Sequence, residues 1–237
     1  MRLNWSEVTA IFGGTFDPPH VGHREAIQGL FENPGIRRVV VLPAGFPPLK
    51  SGATASEHRR KMSELGFAGL DRAGEIRIDA RELERSRVSG KPSFTIDTLF
   101  ELKREFPQLA FVVGADQLSQ LHVWHRFPEL LSASHWIVIA RKDVSQPGET
   151  AMQTLRQWEA SGLIRRDSEQ DEWLVSTGEA RLKLVQTPAR ALSSSEIREE
   201  IARSSDREKL KTFLKMRLHP AVLAYLMEHR VYGMNGN

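Results

Sequence analysis

Four short apolar runs that lack polar alternation, separated by stretches of helical spacing, predict an α/β fold: a doubly wound, mainly parallel sheet followed by a helical C-terminal segment. The runs are residues 8–12 (VTAIF), 37–42 (RRVVVL), 109–113 (LAFVV) and 136–140 (WIVIA). Gly13, Pro43 and Gly114 close the first three, and each is followed by a segment with helix-compatible periodicity. Buried strands joined by helices cover both faces of such a sheet, as in Rossmann-like folds.

Each element has its own signal. After Pro18 and Pro19, residues 21–31 space Val21, Ile27, Leu30 and Phe31 as a helix does, so the first 45 residues read β-α-β. Pro47, Pro48 and Gly52 make residues 46–55 a loop, Ser56 and Glu57 open a helix running to about residue 67, and residues 75–79 read as a short strand. Residues 95–106 form a helix that turns Ile96, Leu99, Phe100 and Leu102 inward, and residues 117–131 an interrupted one. From 142 to 179 the chain turns polar, with Pro147, Gly148, Gly162 and Gly178 around one helical piece near 149–160. This segment reads either as an insertion packed against the sheet or as a flap. A last short strand over 182–185 and helices over 194–203, 206–216 and 221–229 complete the chain. The expected organisation is one domain over residues 1–237, with an insertion at about 142–180 and a helical subregion at about 194–232.

Composition narrows the function. The 237 residues are 40% hydrophobic and 27% charged, the balance of an ordinary globular enzyme. A net charge of +3 suits a phosphate-bearing ligand and is too small for wrapping a nucleic acid, so no nucleic-acid partner is expected. The absence of cysteine excludes disulfides, thiolate catalysis and Cys-ligated metals. No apolar span reaches the length of about 18 residues that a membrane helix needs, and the N-terminus does not read as a leader. A cytoplasmic protein without a membrane partner is expected, and a homo-oligomer is compatible with the sequence.

The chemistry concentrates at two strand-to-helix junctions. Gly13, Gly14, Thr15, Phe16 and Asp17 lead from the first strand into His20, Gly22 and His23 at a helix start. In a parallel sheet that junction binds anions through unpaired helix amides, and glycines admit backbone close to a phosphate. His20 and His23, three apart, share nearly one face and can donate to phosphate oxygens as charge grows in a phosphoryl transition state. A metal pair without further ligands, or a packed structural pair, are the alternatives. Gly22 leaves room between the imidazoles, and Asp17 fixes the loop by accepting backbone amides rather than acting as a base. The second junction is Ser193, Ser194 and Ser195 before a helix carrying Ile197 and Arg198. Hydroxyls and free amides there can hold phosphate, and Arg198 adds a planar fork; a helix cap with a solvent arginine is the plainer reading.

Thr95 and Asp97 lie at another helix start, where a cap is an equal explanation. Asp116 follows the strand ending at Gly114, and a carboxylate suits two adjacent hydroxyls. Trp124 is either a core aromatic or a stacking platform. Lys50 and Arg141 are basic groups near strand ends, within reach of phosphate or of solvent.

GGTFDPPHVGH (13–23) resembles the first signature of nucleotidylyltransferases with a His-x-Gly-His motif, and LSSSEIR (192–198) resembles their second. Within that family, SFTIDTL (93–99), Gly114-Ala115-Asp116, Trp124-His125 and the stretch 220–232 are similar, in the same order, to the bacterial nicotinate-nucleotide adenylyltransferases. The likeness spans roughly residues 8–141 and 182–232 and leaves the middle insertion uncovered.

The resemblance implies transfer of the adenylyl group of ATP to nicotinate mononucleotide, with Mg²⁺ carried by ATP and no protein metal site. It gives His20, His23 and Arg198 to catalysis. It gives Gly13, Gly14, Thr15, Phe16, Lys50, Arg141, Ser193, Ser194, Ser195 and Ile197 to ATP, and Thr95, Asp116 and Trp124 to the mononucleotide. Asp17, Gly22 and Asp97 are structural. Two departures stand out: Ser195 replaces the usual threonine, and Leu49 stands where the family has a histidine before the basic residue. Rival readings are a family member acting on pantetheine phosphate or a phosphoalcohol, and a noncatalytic nucleotide sensor.

Overall fold

The computed structural model describes residues 3–45, 53–70, 74–141 and 145–234, with only the backbone at 141 and 145–148. The chain runs β1 (Thr9–Gly14), α1 (Val21–Glu32), β2 (Arg38–Pro43), α2 (Ser56–Phe67), β3 (Glu75–Ile78), α3 (Arg81–Ser89), α4 (Thr95–Glu105) and β4 (Leu109–Gly114). It continues through α5 (Ala115–Leu118), α6 (Glu129–Ala133), β5 (His135–Arg141), α7 (Ser145–Ala160), β6 (Ile164–Asp167), β7 (Glu172–Val175) and β8 (Arg181–Thr187). Helices α8 (Ser194–Arg203), α9 (Arg207–Lys215) and α10 (Pro220–Glu228) follow.

One sheet has the order β3-β2-β1-β4-β5-β8-β7-β6. The six strands from β3 to β8 are parallel, and β7 and β6 add an antiparallel edge. The continuous apolar runs follow from burial on both faces. Ile11, Val40, Leu42, Phe111, Val113, Trp136 and Val138 belong to one apolar cluster; their alternates Ala10, Phe12, Val39, Val41, Ala110, Val112, Ile137 and Ile139 belong to another. Each large apolar side chain so buried contributes about 1.5–3 kcal/mol. A third cluster joins Met62 of α2 to Ile197, Leu214, Val222 and Leu226 of the C-terminal helices.

The structure departs from expectation in three places. Phe100 is 41% exposed rather than inward, because the buried stripe of α4 is Ile96, Thr98, Leu99 and Leu102 and Phe100 lies off it, 5.8 Å from the Arg126 guanidinium. Helix α3 carries no apolar stripe: its buried residues are Glu82, Leu83 and Ser86, a face that hydrophobic periodicity cannot detect. The 142–179 region contains a β-hairpin besides its helix. Ala151, Leu155 and Trp158 of α7 join the first cluster, and Trp173 of β7 is buried under the Arg166 guanidinium at 4.1 Å.

Strand order reverses at β1, whose neighbours β2 and β4 are reached by connections on opposite sides. The carboxyl ends of strands part at such a point and leave a crevice. Among the described residues, no helix is long and apolar enough to cross a membrane.

Candidate active site

A cleft of about 740 Å³ opens at that crevice, and its walls come from the carboxyl ends of β1, β2, β4 and β5 and from the loop before α8. Gly13 and Gly14 line it, though their missing side chains first serve packing: a Cβ at Gly13 would lie 2.7 Å from the Phe111 ring, and one at Gly14 2.8 Å from the Phe16 ring. Phe16 is 2% exposed and takes φ +50°, so its ring belongs to the core while its backbone shapes the cleft.

His20 is the N-cap of α1, in extended backbone, and His23 sits one turn on. Their rings stack at 3.6 Å, and the His20 amide donates to His23 Nδ1 at 3.2 Å. A ring nitrogen that accepts cannot carry the proton, so neutral His23 holds its proton at Nε2. Phe12 and Phe16 pack edge-on against the His23 ring and fix its plane. Gly22 is required here: a Cβ would meet the Arg190 carbonyl at 2.8 Å and the His20 ring at 3.2 Å.

The α8 junction, more than 170 residues later, lies on the same cleft. Ser193 caps α8, accepting the Ser195 amide, while Glu196 Oε2 accepts the Ser193 amide. Ser194 Oγ donates to the Pro18 carbonyl at 2.9 Å. Arg198 donates to the Asp17 carbonyl at 2.6 Å and to Ser195 Oγ at 3.3 Å, and it also lines the cleft. Two segments from opposite ends of the sequence are therefore bonded into one cation- and donor-rich wall. Asp17, 2% exposed, accepts the Thr54 amide at 3.0 Å and the Tyr232 hydroxyl at 2.6 Å.

The other end of the cleft is built from α4, β4 and the segment after it. Asp116 stands just past β4, where a Cβ on Gly114 would collide with its Oδ1. Trp124 is half-buried and meets Phe111 edge-on, with centroids 6.2 Å apart. His125 is exposed and stacks on Phe94 at 4.1 Å. Thr95 lines the same end.

Two expectations need correction. Ile197 offers nothing to a nucleotide: its side chain is 1% exposed in the C-terminal core and its amide donates to the Ser193 carbonyl. Asp97 does not cap α4, whose N-cap is Phe94; its carboxylate faces Arg126 at 3.7 Å. Leu49 and Lys50 lie outside the described residues, as does the side chain of Arg141.

A cytidylyltransferase-like family model matches residues 11–200. A probable nicotinate-nucleotide adenylyltransferase of Pectobacterium atrosepticum is 35% identical over 229 residues, covering 95% of this chain and 98% of the relative. The chain belongs to the nicotinate-nucleotide adenylyltransferase family. A relative of the same description from Cronobacter sakazakii is 34% identical over 94% of each chain. In fold, the chain resembles the Plasmodium falciparum nicotinic acid mononucleotide adenylyltransferase complexed with NaAD, with TM-score 0.68 and 18% identity over 96% of this chain and 98% of that one.

The structure adds residues to the cleft that carry no signal in the sequence. Arg59, 2% exposed, donates to the carbonyls of Thr54, Ala44, Gly45 and Thr15 and so gathers three loops at the cleft. Burial lowers its pKa. Glu82 lines the cleft, accepts the Gly45 amide at 3.3 Å, and is held by burial above the ordinary carboxylate range. A single arginine or glutamate inside a polar helix carries no local signal of such a role. Tyr232 falls in a stretch with family likeness, yet only its contact with Asp17 gives it a task.

Proposed function

We propose that this chain transfers the adenylyl group of ATP to nicotinate mononucleotide, giving nicotinate adenine dinucleotide and pyrophosphate in NAD biosynthesis. A mononucleotide phosphate oxygen attacks the α-phosphorus; the bond from that phosphorus to the bridging oxygen of the β-phosphate breaks, and its electron pair leaves with pyrophosphate. The attacking oxygen is already anionic, so no general base or covalent nucleophile is needed, and positioning with charge stabilisation supplies the catalysis.

The observation that carries the reading is the bonded pair of helix N-termini, His20–His23 at α1 and 193–198 at α8, facing one cleft that also holds Thr95, Asp116 and Trp124. His23 donates from Nε2 to the phosphoryl oxygens, and His20 reinforces it. Arg198 and the α8 amides take the triphosphate. Asp116 accepts the ribose hydroxyls, Trp124 stacks on the pyridine ring, and Thr95 with the α4 amides takes the nicotinate carboxylate.

The divalent cation enters as part of the nucleotide, as Mg²⁺ bound to ATP, and neutralises charge on the phosphates. The donor set fits that arrangement. The α1–α8 wall presents imidazoles, hydroxyls, a guanidinium and amides, and its carboxylates are engaged, Asp17 by Thr54 and Tyr232 and Glu196 by the Ser193 amide. Soluble nucleotides as substrates suit a cytoplasmic enzyme.

Pyrophosphate release measured with ATP and a panel of acceptors tests the reading. Nicotinate mononucleotide is expected to give the highest kcat/KM. A preference for pantetheine phosphate or for CTP would replace this proposal with another reaction of the family, and binding without turnover would make the chain a sensor.

A further inference from the structure

The C-terminal turn reaches the catalytic loop through one side chain that the chemistry itself does not require. After α10 the chain forms a short 3-10 turn, Val231–Gly233, flanked and interrupted by left-handed backbone at Arg230 (φ +50°) and Tyr232 (φ +62°). Residues with a Cβ seldom adopt that backbone unless their surroundings determine it. Val231 is anchored in the third apolar cluster, and the turn delivers the Tyr232 hydroxyl to Asp17 Oδ1 at 2.6 Å.

Asp17 is the node. The Thr54 amide donates to its second oxygen, its carbonyl accepts Arg198, and the neighbouring Pro18 carbonyl accepts Ser194. Three segments distant in sequence thus fix the loop that leads to His20. Burial and the Asp17 charge push the phenol far above its ordinary range, so it remains a donor across the working pH range.

We propose that Tyr232 is a positioning residue for adenylyl transfer: its hydroxyl, by fixing the Asp17 carboxylate, holds the loop between β1 and α1 in register with Arg198. Tyr232 acts through Asp17 and touches no reacting group. Without the hydroxyl, a buried carboxylate loses one of its two donors and turns toward water, carrying the Asp17 and Pro18 carbonyls away from Arg198 and Ser194. Displacements of this kind misalign the reacting atoms, whereas ground-state binding is spread over many donors.

This inference rests on the proposed reaction, and the experiment separates the two. Tyr232→Phe is expected to lower kcat about 10-fold to 10²-fold, with KM for ATP and nicotinate mononucleotide within about threefold of the parent. Met62→Leu replaces the thioether, whose sulfur lies 3.8 Å from the hydroxyl, with a branched apolar side chain of similar volume and is expected to leave kcat within about twofold. A folded Tyr232→Phe enzyme with kcat within about twofold of the parent overturns the proposal, as does a loss confined to KM or an equal loss in Met62→Leu. The sequence contains two tyrosines, so 3-fluorotyrosine in a Tyr225→Phe background leaves one fluorine, at Tyr232, with the hydroxyl intact. Saturating MgATP without acceptor is expected to shift that resonance, and an unmoved resonance overturns the proposal even if the phenylalanine variant does not fold. A parent protein that binds ATP but releases no pyrophosphate refutes the reaction and leaves the fluorine measurement to judge Tyr232.

Discussion

The two ends of the cleft are built differently. At the end proposed for the triphosphate, Asp17 and His20 are buried, and Asp17, Pro18, Ser194, Arg198 and Tyr232 are cross-bonded from both ends of the sequence. At the end proposed for the acceptor, Asp116 and His125 are exposed, and the Trp124 and Phe94 side chains rest on aromatic neighbours rather than in hydrogen-bond networks. The difference follows the chemistry assigned to each end. Donors that meet charge developing in a transition state must be in place beforehand, because reorganising them would cost part of what they stabilise. A ring and a ribose that do not react need complementary surfaces, and those surfaces act on affinity and selection.

The largest expected effect breaks the first end. His23→Ala, or His20→Ala, should lower kcat roughly 10²-fold to 10³-fold with ATP affinity nearly kept. Calorimetric ATP binding beside steady-state turnover decides it, and turnover within about threefold of the parent removes the histidines from catalysis. Arg198→Lys keeps the charge and loses the planar fork that spans Asp17 and Ser195. A fall in kcat/KM for ATP of about 10-fold is expected, and unchanged ATP Kd and KM would remove Arg198 from the triphosphate wall.

Substitutions at the acceptor end should instead redistribute preference. Thr95→Ala is expected to reduce the ratio of kcat/KM for nicotinate over nicotinamide mononucleotide by about 10-fold, by removing one donor to the carboxylate. Trp124→Phe should lower both values by a common factor and leave their ratio in place. A changed ratio in Trp124→Phe with an unchanged one in Thr95→Ala reverses the two assignments.

Stability sharpens the comparison from outside the cleft. His135 is neutral by arrangement: the Arg181 amide donates to Nδ1, Nε2 meets Gln108, and burial, followed by Lys103 and Arg181, lowers its pKa to about 4. The unfolded imidazole protonates first as pH falls, so this stability is full above about pH 6.5 and is lost on descending to about 4, by at most about 3 kcal/mol. Chemical denaturation at pH 7 and pH 4.5 should show a smaller difference for His135→Gln than for the parent. The smallest effect is expected at Asp97→Ala, whose pair with Arg126 is exposed: a stability change within about 0.5 kcal/mol by denaturant titration.

Much of this molecule is local. The strands 8–12, 109–113 and 136–140 declare themselves because residues buried on both faces leave no polar alternation, and the helices at 56–67 and 194–203 match their observed bounds. The glycine-rich loop, the His20–His23 spacing and the serine run before Arg198 are equally readable, since each is a statement about one junction. Helix α3 and the β6–β7 hairpin were not readable. One buries Glu82 and Ser86, and the other carries Arg165 and Arg166 in a four-residue strand.

Sequence alone determined the fold class, the two helix junctions that line the cleft and the chemistry their residue types permit, because these depend on neighbours within a few positions. Tertiary structure alone decided that the junctions meet through the Asp17 and Pro18 carbonyls, and that Ile197 belongs to the core and Asp97 to Arg126. It also decided that Arg59 and Tyr232 hold the loops from behind. Those outcomes depend on which backbone carbonyls and buried charges come within about 3 Å of one another across the fold, and no spacing along the chain encodes that distance.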